Sequence, residues 1–594
     1  MDGPFVDILQ PQLWWPNGLG GQPLYTVKTT LTENHMGIDT WERRIGLRTM
    51  TVVRRRDAWG ESFCHSVNGL EFFAMGADYI PEDNLLSRVT PVRTRRLLED
   101  AVLANHNVIR VWGGGYYPDD FFYDACDELG LVVWQDFMFA CANYLLTPEF
   151  AADIRAEFID NIRRLRHHAS LGLWCGNNEM EMFQAQSAYD GTPRLRSDYI
   201  RMFEHILPEV LAAEDPDTFY WPASPSSGGG FDAPNDPDRG DTHYWEVWHG
   251  GKPFTDYRNH FFRYASEFGF QSFPCRATVE GFTLPEDRNV FSRIMEMHQR
   301  NASANGKIMG YLAATFLYPV DFDTLLYASQ LLQAEAIRFG VEHWRRHRGR
   351  CMGAVVWQLN DIWPVASWSS IDCHGRWKAL HYAEKRFFAP VALSCEEHGE
   401  LDGRTSCVDE PAEASLPMSA RFAVANETRA PFSGIARWAL RAPDASVILS
   451  GAVPVEAPPM SSVWLDPDGP STFDGYDALG CYVSYDLENA AGAAVSSGTS
   501  LFCAPKHFRF QDPCLQGRLA DGCVHVEAAA YARGVEIVTD DPDCVFSDNY
   551  FDMNAGSKVV GILRGNPQTV SLRSVFDIGR STACVTIVNK ERIR

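Results

Sequence analysis

The chain has 594 residues, of which 45% are hydrophobic, and this length predicts several domains rather than one small core. Its formal net charge of −24 disfavours a nucleic-acid partner, because binding to phosphates requires a basic surface. The 15 cysteines are scattered and contain no CxxC pair, so neither a zinc site nor a disulfide framework is favoured.

The N-terminus lacks a basic segment followed by an apolar one, and the sequence has no run of about 18 apolar residues. We therefore expect a cytoplasmic protein with reduced thiols and no membrane partner. Aromatic residues make up 12% of the chain, including 17 Trp, which suits either the faces of sugars or an aromatic-rich core. A neutral, sugar-like ligand is left open, and no cofactor or metal is indicated.

Residues 1–60 contain short β-like runs at 24–27 and 49–53, which predict only part of a β-sandwich. From residue 61 to 390, short apolar runs alternate with longer helical patterns, as is typical of parallel βα units. Eight strand candidates occur there, the number that closes a (β/α)₈ barrel, also called a TIM barrel. They are residues 72–76, 108–112, 131–135, 172–175, 218–222, 241–244, 262–266 and 353–358.

Two further features complete the predicted domain order. Ile154, Phe158, Ile162 and Leu165 recur at helical spacing, which predicts an amphipathic helix just before the fourth strand. After residue 390 the alternating β pattern returns, and two more all-β sandwiches are predicted at 391–504 and 505–594. The predicted protein is therefore a multidomain chain with a (β/α)₈ barrel between flanking sandwiches.

Polar side chains follow several of the predicted barrel strands, where the strands of a barrel share one mouth. These candidates are Arg110, Trp112, Asp136, Asn178, Glu179, His243, Tyr244, Glu267 and Trp357. Two carboxylates among aromatic and amide groups suit acid/base and nucleophilic chemistry on a glycosidic bond. We predict that Arg110 keeps Glu267 ionised by its charge, and that a less polar surrounding raises the pKa of Glu179.

Each of these residues also has a simpler interpretation when it is taken alone. A Glu after an apolar strand is more often a surface or ion-pair residue. Trp112 and Trp357 suit the barrel core as well as a sugar platform, and His243 alone is more often a hydrogen-bonded structural histidine. The residue pattern by itself leaves these alternatives open.

Several stretches together resemble glycoside hydrolase family 2, and within it the β-mannosidases. They are residues 13–18 (LWWPNG), 110–115 (RVWGGG), 134–140 (WQDFMFA), 174–179 (WCGNNE), 266–272 (SEFGFQS), 357–364 (WQLNDIWP) and 547–552 (SDNYFD). This resemblance covers nearly the whole chain and implies that the predicted sandwiches are immunoglobulin-like.

The resemblance also implies a role for each candidate in retaining hydrolysis of a terminal β-D-mannoside without a cofactor. Glu267 is then the nucleophile, supported by Arg110, and Glu179 is the acid/base. Asn178 is expected to bind the sugar 2-hydroxyl. The other expected substrate contacts are Trp112, Trp357, His243, Tyr244 and Asp136.

Two departures from the family pattern bear on these expectations. Family members normally begin with a jelly-roll sugar-binding domain and a complete immunoglobulin-like domain, so the resemblance implies an N-terminally truncated chain that lacks one pocket residue. Residues 180–184 (MEMFQ) lack a tryptophan that some relatives have, which bears on leaving-group preference. Two alternatives stay open: another family 2 exo-β-glycosidase, such as a glucosaminidase or galactosidase, and a carbohydrate-binding protein inactivated by truncation. Self-association is left open.

Overall fold

Eight short parallel strands form the centre of the computed structural model, which describes residues 6–186, 192–401, 417–465, 471–580 and 587–588. In chain order they are β1 (Ala74–Tyr79), β2 (Val108–Val111), β3 (Val132–Asp136), β4 (Leu171–Cys175), β5 (Tyr220–Trp221), β6 (Thr242–Tyr244), β7 (Ala265–Phe268) and β8 (Gly353–Val356). All eight predicted strands are present, each within a few residues of its expected bounds, and the predicted TIM-barrel fold is confirmed.

The strands pair in the order β5-β4-β3-β2-β1-β8-β7-β6. Gly353 of β8 pairs with Ala74 of β1, the junction that curls the sheet back on itself. No ladder pair joins β5 to β6 among the residues described, and two hydrogen bonds that involve Asp241, just before β6, connect this part of the barrel instead. The Asp241 amide donates to the Ser226 carbonyl at 3.3 Å, and Trp221 Nε1 donates to the Asp241 carboxylate at 2.8 Å.

Helices cover the outside of the barrel. The predicted amphipathic helix is present as Pro148–Leu165, and it buries Ile154, Phe158, Ile162 and Leu165 against the sheet. The α-helices described are Pro91–Leu103, Asp120–Leu129, Pro148–Leu165, Met180–Ala185, Pro193–Ile200, Leu207–Glu214, Arg276–Glu280, Arg293–Met297, Ala304–Thr315, Phe322–Arg346 and Ala379–Phe387. The helices between residues 276 and 346 fill the long interval between β7 and β8.

The N-terminal residues form a largely exposed hairpin and the floor of the barrel. The hairpin strands are Tyr25–Glu33 and Met36–Ile45, followed by Met50–Val53, Arg56–Asp57, Gly60–Glu61, Cys64–Val67 and Leu70–Glu71. Phe63 seals the lower end of the barrel, since its ring centroid lies 4.9 Å from that of Trp221 and 5.6 Å from that of Tyr264. Function is therefore to be sought at the opposite end, where the strands end.

Two β-rich units follow the barrel. The first contains Val391–His398, Ser419–Asn426, Phe432–Arg441, Val447–Ala457, Ser461–Trp464, Ser471–Thr472, Tyr482–Asn489 and Ala494–Leu501, which enclose one apolar core. The second contains Gln516–Ala520, Cys523–Ala528, Ala532–Thr539, Val545–Phe546, Phe551–Met553, Gly556–Arg564, Thr569–Arg573 and Ile587–Val588. Both are all-β, as predicted, and their strands pair antiparallel, while the exact domain boundaries at 60, 390 and 504 stay predictions.

Two further features of the described residues bear on the sequence expectations. None of their helices combines the length and the apolar composition that a membrane crossing requires. No disulfide bond joins the cysteines in these ranges.

Candidate active site

Two glutamates meet in the mouth of the barrel. Glu179 follows β4 and Glu267 lies in β7, and the two are 8% and 5% exposed. His243 Nδ1 is 2.9 Å from Glu179 and 3.6 Å from Glu267, and one carboxylate oxygen of Glu179 lies within 4.8 Å of one of Glu267. This separation is close to the 5 to 5.5 Å typical of retaining glycosidases and well below the 6.5 to 9.5 Å of inverting ones.

Arg110 lies at the centre of the site and is fully buried. Its Nη1 is 3.2 Å from Asp78 Oδ1 and 3.2 Å from Glu267 Oε2. Its Nη2 donates to Asp136 Oδ2 at 2.9 Å and to Asn178 Oδ1 at 2.6 Å. One guanidinium thus contacts both the carboxylate of Glu267 and the amide of Asn178, and the role of Arg110 in supporting a nucleophile stays a prediction.

Glu179 is held in a restrained conformation just before the helix Met180–Ala185. Its φ of +59° lies in the left-handed region, which residues other than glycine rarely adopt and which recurs at active sites. The Glu179 amide donates to the Ser224 carbonyl at 2.7 Å. Its carboxylate is 2.9 Å from His243 Nδ1 and 3.5 Å from Cys141 Sγ. Backbone and side chain together therefore aim this carboxylate toward Glu267.

The pKa shifts of the two glutamates run opposite to the sequence prediction. Burial raises the pKa of Glu267 to about 7, against the charges of His243 and Arg110. Burial also acts to raise the pKa of Glu179, but the hydrogen bond with His243 outweighs it and holds this pKa below its ordinary value. The reason is the position of His243, which sequence alone did not place next to Glu179. Because two such close carboxyl groups do not both ionise readily, the pair keeps one proton up to about pH 7.

Trp112 and Trp357 stand side by side at the ends of β2 and β8. Their ring centroids are 5.0 Å apart with planes at 72°, and both side chains are partly exposed. Gly114 lies directly under the Trp112 ring, where a Cβ atom would come within 2.0 Å of it. The absence of a side chain at Gly114 thus leaves the space that the Trp112 indole occupies.

Two predicted substrate contacts are corrected by the structure. Tyr244 packs outside the barrel, where its hydroxyl bonds to Asp256 and its ring lies against Phe262. Since side chains alternate along a strand, the inward direction of His243 forces Tyr244 outward. Asp136 is fully buried, and its carboxylate is occupied by Arg110, by the Gly113 amide and by Trp134 Nε1. Asp136 therefore positions Arg110.

His243 was predicted to bind substrate, but its side chain is fully buried. It contacts Glu179, Glu267 and the hydroxyl of Ser224, and so acts through the glutamates.

Four residues of the site were missed by the sequence analysis. Asp78 lies in β1, and a strand predicted to end at residue 76 concealed it. Asp241 precedes β6 and was counted only as the start of a strand, although polar residues at strand ends are the relevant signal. Ser224 and Cys141 lie in loops after β5 and β3 and carry no comparable pattern.

Glu179, His243 and Glu267 are also of the residue types that hold a divalent cation. Arg110 already places a positive charge 3.2 Å from Glu267 Oε2, so a cation would meet a like charge there. The arrangement suits proton transfer and nucleophilic attack better than metal binding.

Three family profiles match parts of the chain. Residues 4–48 match the glycosyl hydrolases family 2 profile, residues 419–507 the mannosidase Ig/CBM-like domain, and residues 510–578 an Ig-fold domain. The two later matches fall on the antiparallel units described above, in agreement with the predicted immunoglobulin-like sandwiches.

Relatives with known names are similar over long stretches. Beta-mannosidase B of Aspergillus terreus is 41% identical over 405 residues, covering 65% of this chain and 47% of that protein, and the Emericella nidulans protein of the same name is 38% identical. The chain thus spans about half the length of these relatives. The crystal structure of beta-D-mannosidase from Dictyoglomus thermophilum is 30% identical with a TM-score of 0.86, over 96% of this chain and 68% of that one. Exo-chitosanase CsxA of Amycolatopsis orientalis, 16% identical with a TM-score of 0.75 over 99% of this chain and 72% of that one, shares the fold.

Proposed function

Because the chain belongs to glycosyl hydrolase family 2, in the branch of the β-mannosidases, we propose that it removes terminal β-D-mannose residues from oligosaccharides or other β-mannosides with retention of configuration. The observation that carries this proposal is the pair of buried carboxyl groups, with oxygens within 4.8 Å of each other, at the mouth of the barrel. That spacing leaves no room for a water between the sugar and the second carboxylate, as an inverting enzyme needs.

The first step starts from the form of the pair in which Glu179 holds the shared proton and Glu267 is ionised. A Glu267 oxygen then attacks the anomeric carbon while the bond to the leaving oxygen breaks. Glu179 gives its proton to that oxygen, which leaves as an alcohol. Arg110, 3.2 Å from Glu267 Oε2, orients the nucleophile and favours its charged form. The product of this step is a mannosyl ester of Glu267.

In the second step, the roles of Glu179 reverse. Its carboxylate takes a proton from a water molecule, and the water oxygen bonds to the anomeric carbon. Glu267 then leaves as a carboxylate, so two inversions give net retention. Oxygens of Glu179 and Glu267 lie within 4.8 Å of each other. At this distance Glu179 can act on the same side of the sugar in both steps, as a single acid/base group must.

The remaining side chains of the pocket are proposed to contact the sugar ring itself. Asn178 is held through its Oδ1 by Arg110, so its amide nitrogen is the group directed to the 2-hydroxyl, a contact that strengthens in the transition state. Cys141 Sγ, a weak acceptor 3.4 Å from this nitrogen, is readily replaced by a sugar oxygen. Trp112 and Trp357 would cover the apolar face of the ring.

A panel of 4-nitrophenyl β-glycosides tests the substrate class. We expect kcat/KM for the mannoside to exceed that for the galactoside, glucoside and glucosaminide by at least about tenfold, because binding of the 2-hydroxyl through Asn178 discriminates mannose. Faster cleavage of the glucosaminide or galactoside would favour another family 2 exo-glycosidase. Mannose binding with no turnover of any glycoside would favour a carbohydrate-binding protein.

A further inference from the structure

A chain of hydrogen bonds runs from the proton donor back into the wall of the barrel. His243 Nδ1 is 2.9 Å from Glu179 Oε1, and His243 Nε2 is 2.9 Å from the hydroxyl oxygen of Ser224. That hydroxyl is in turn 2.7 Å from Asp241 Oδ2. His243, Ser224 and Asp241 are all buried. The position of every proton along this chain follows from counting donors.

Asp241 can only accept. Its Oδ1 receives Trp221 Nε1–H at 2.8 Å and the Ser226 amide at 2.9 Å. Its Oδ2 lies 2.7 Å from the Ser224 hydroxyl and 2.6 Å from the Ser266 hydroxyl. A carboxylate oxygen at these distances requires a hydrogen from each serine, so the single hydroxyl proton of Ser224 is directed to Asp241.

The Ser224 oxygen must then accept from His243. An unprotonated Nε2 would set two lone pairs against each other at 2.9 Å, so this nitrogen carries the ring proton. Arg110 Nη1 also lies 3.5 Å from this nitrogen, but that contact is longer than the 2.9 Å contact with Ser224, and Nη1 is closer to Asp78 and Glu267, each at 3.2 Å. In the neutral ring, Nδ1 consequently carries no proton, and this is the nitrogen that faces Glu179.

We propose that Ser224 and Asp241 are positioning residues that hold His243 in the Nε2–H tautomer and thereby keep the catalytic proton between His243 Nδ1 and Glu179. The proton lies on Glu179 as a carboxylic acid or on Nδ1 of an imidazolium, and in both cases it spans the same 2.9 Å. Loss of this proton leaves the lone pair of His243 Nδ1 facing the ionised carboxylate of Glu179. The alternative tautomer, which would donate to that carboxylate, is blocked by Ser224.

The consequence is a higher pH limit for the acid step than a ring with its proton on Nδ1 would give, an inference that rests on the proposed hydrolytic function. The charged groups facing His243 are Glu179 after β4, Glu267 in β7 and Arg110 in β2. We expect these three charged groups to keep their positions when Ser224 is replaced, whereas the His243 ring is no longer held in the Nε2–H tautomer. A ring free to carry its proton on Nδ1 stabilises ionised Glu179, so the pair loses its proton at lower pH.

The test compares kcat/KM against pH for the wild type, Ser224→Ala and the matched control Ser266→Ala. Both serines donate to Asp241 Oδ2 and both are buried, but only Ser224 contacts His243 Nε2. In Ser224→Ala we expect the alkaline limb to move down by about one pH unit, the equivalent of one hydrogen bond. Ser266→Ala should keep the wild-type limb, and Ser224→Thr, which retains the hydroxyl, should restore it. An unmoved limb in Ser224→Ala, or equal shifts in both alanine variants, would overturn the proposal.

A second measurement does not depend on turnover. In protein labelled with ¹⁵N-histidine, the His243 resonances are assigned by their loss in His243→Asn. A protonated Nε2 in the wild type at pH 8, and a changed tautomer in Ser224→Ala, would support the proposal. An unprotonated Nε2 in the wild type would overturn it. A chain that hydrolyses no glycoside but keeps the Nε2–H tautomer would contradict the proposed function and leave the tautomer assignment intact.

Discussion

Replacing Glu267 by glycine should lower kcat for 4-nitrophenyl β-mannoside by at least about 10⁴-fold, because the carboxylate assigned to attack the anomeric carbon is removed. Adding azide to this variant, with an activated mannoside as substrate, should restore turnover and give the α-mannosyl azide. Azide fills the space of the lost carboxylate and attacks once from that side, so the configuration inverts. The products are identified by NMR of the anomeric proton.

The fold should survive this substitution, which keeps the result interpretable. Arg110 retains Asp78 and Asp136 as partners at 3.2 and 2.9 Å when Glu267 is removed, so its buried charge stays paired. Glu246→Ala, an exposed glutamate two residues after β6, is the matched control and should keep near-wild-type kcat. Wild-type activity in Glu267→Gly would refute its assignment as the nucleophile, and formation of the β-azide would assign it the acid/base role.

Replacing Glu179 by alanine should act in proportion to how much the leaving group needs a proton. For mannobiose, whose leaving group is a sugar alcohol, we expect kcat/KM to fall by about 10²- to 10⁴-fold. The leaving group of 2,4-dinitrophenyl β-mannoside departs without protonation, so the rate of the first step should fall by less than about tenfold with this substrate. The ratio of the two rates within one variant is the measurement, so partial misfolding cancels.

Azide distinguishes this variant from the first one. In Glu179→Ala the mannosyl ester on Glu267 still forms, and azide then attacks it without needing a general base. The product should be the β-mannosyl azide, with configuration retained. Equal losses on both substrates would contradict the assignment of Glu179 as proton donor, because a residue that only shapes the pocket has no leaving-group dependence.

The barrel was predictable because its strands are short apolar runs buried on both faces, separated by helical patterns. The helix Pro148–Leu165 was visible from four apolar residues at helical spacing. The predicted strand ends differ from the observed ones by a few residues, and one residue of the site was missed for this reason. With β1 predicted to end at residue 76, Asp78 was not recognised as a partner of Arg110.

The two glutamates, Arg110 and Asn178 were placed in the mouth from the sequence, and the structure brings them together. Which side chains reach the pocket depends on the alternation of inward and outward positions along each strand. Tyr244 was predicted to contact substrate without regard to this alternation. The pKa order of the glutamates depends on a single contact, His243 Nδ1 to Glu179 at 2.9 Å. Such a contact joins residues 64 positions apart, and no local pattern encodes it. The catalytic roles of these residues and a cytoplasmic location stay predictions.

The central claim is that Glu267 forms a covalent bond to mannose during turnover. Incubation with 2,4-dinitrophenyl 2-deoxy-2-fluoro-β-D-mannoside should inactivate the enzyme in a time-dependent manner, since the fluorine slows hydrolysis of the ester more than its formation. Peptide mass mapping should then find one fluoromannosyl group, carried by Glu267. A label on another residue, or folded and mannose-binding protein with no label, would contradict the account.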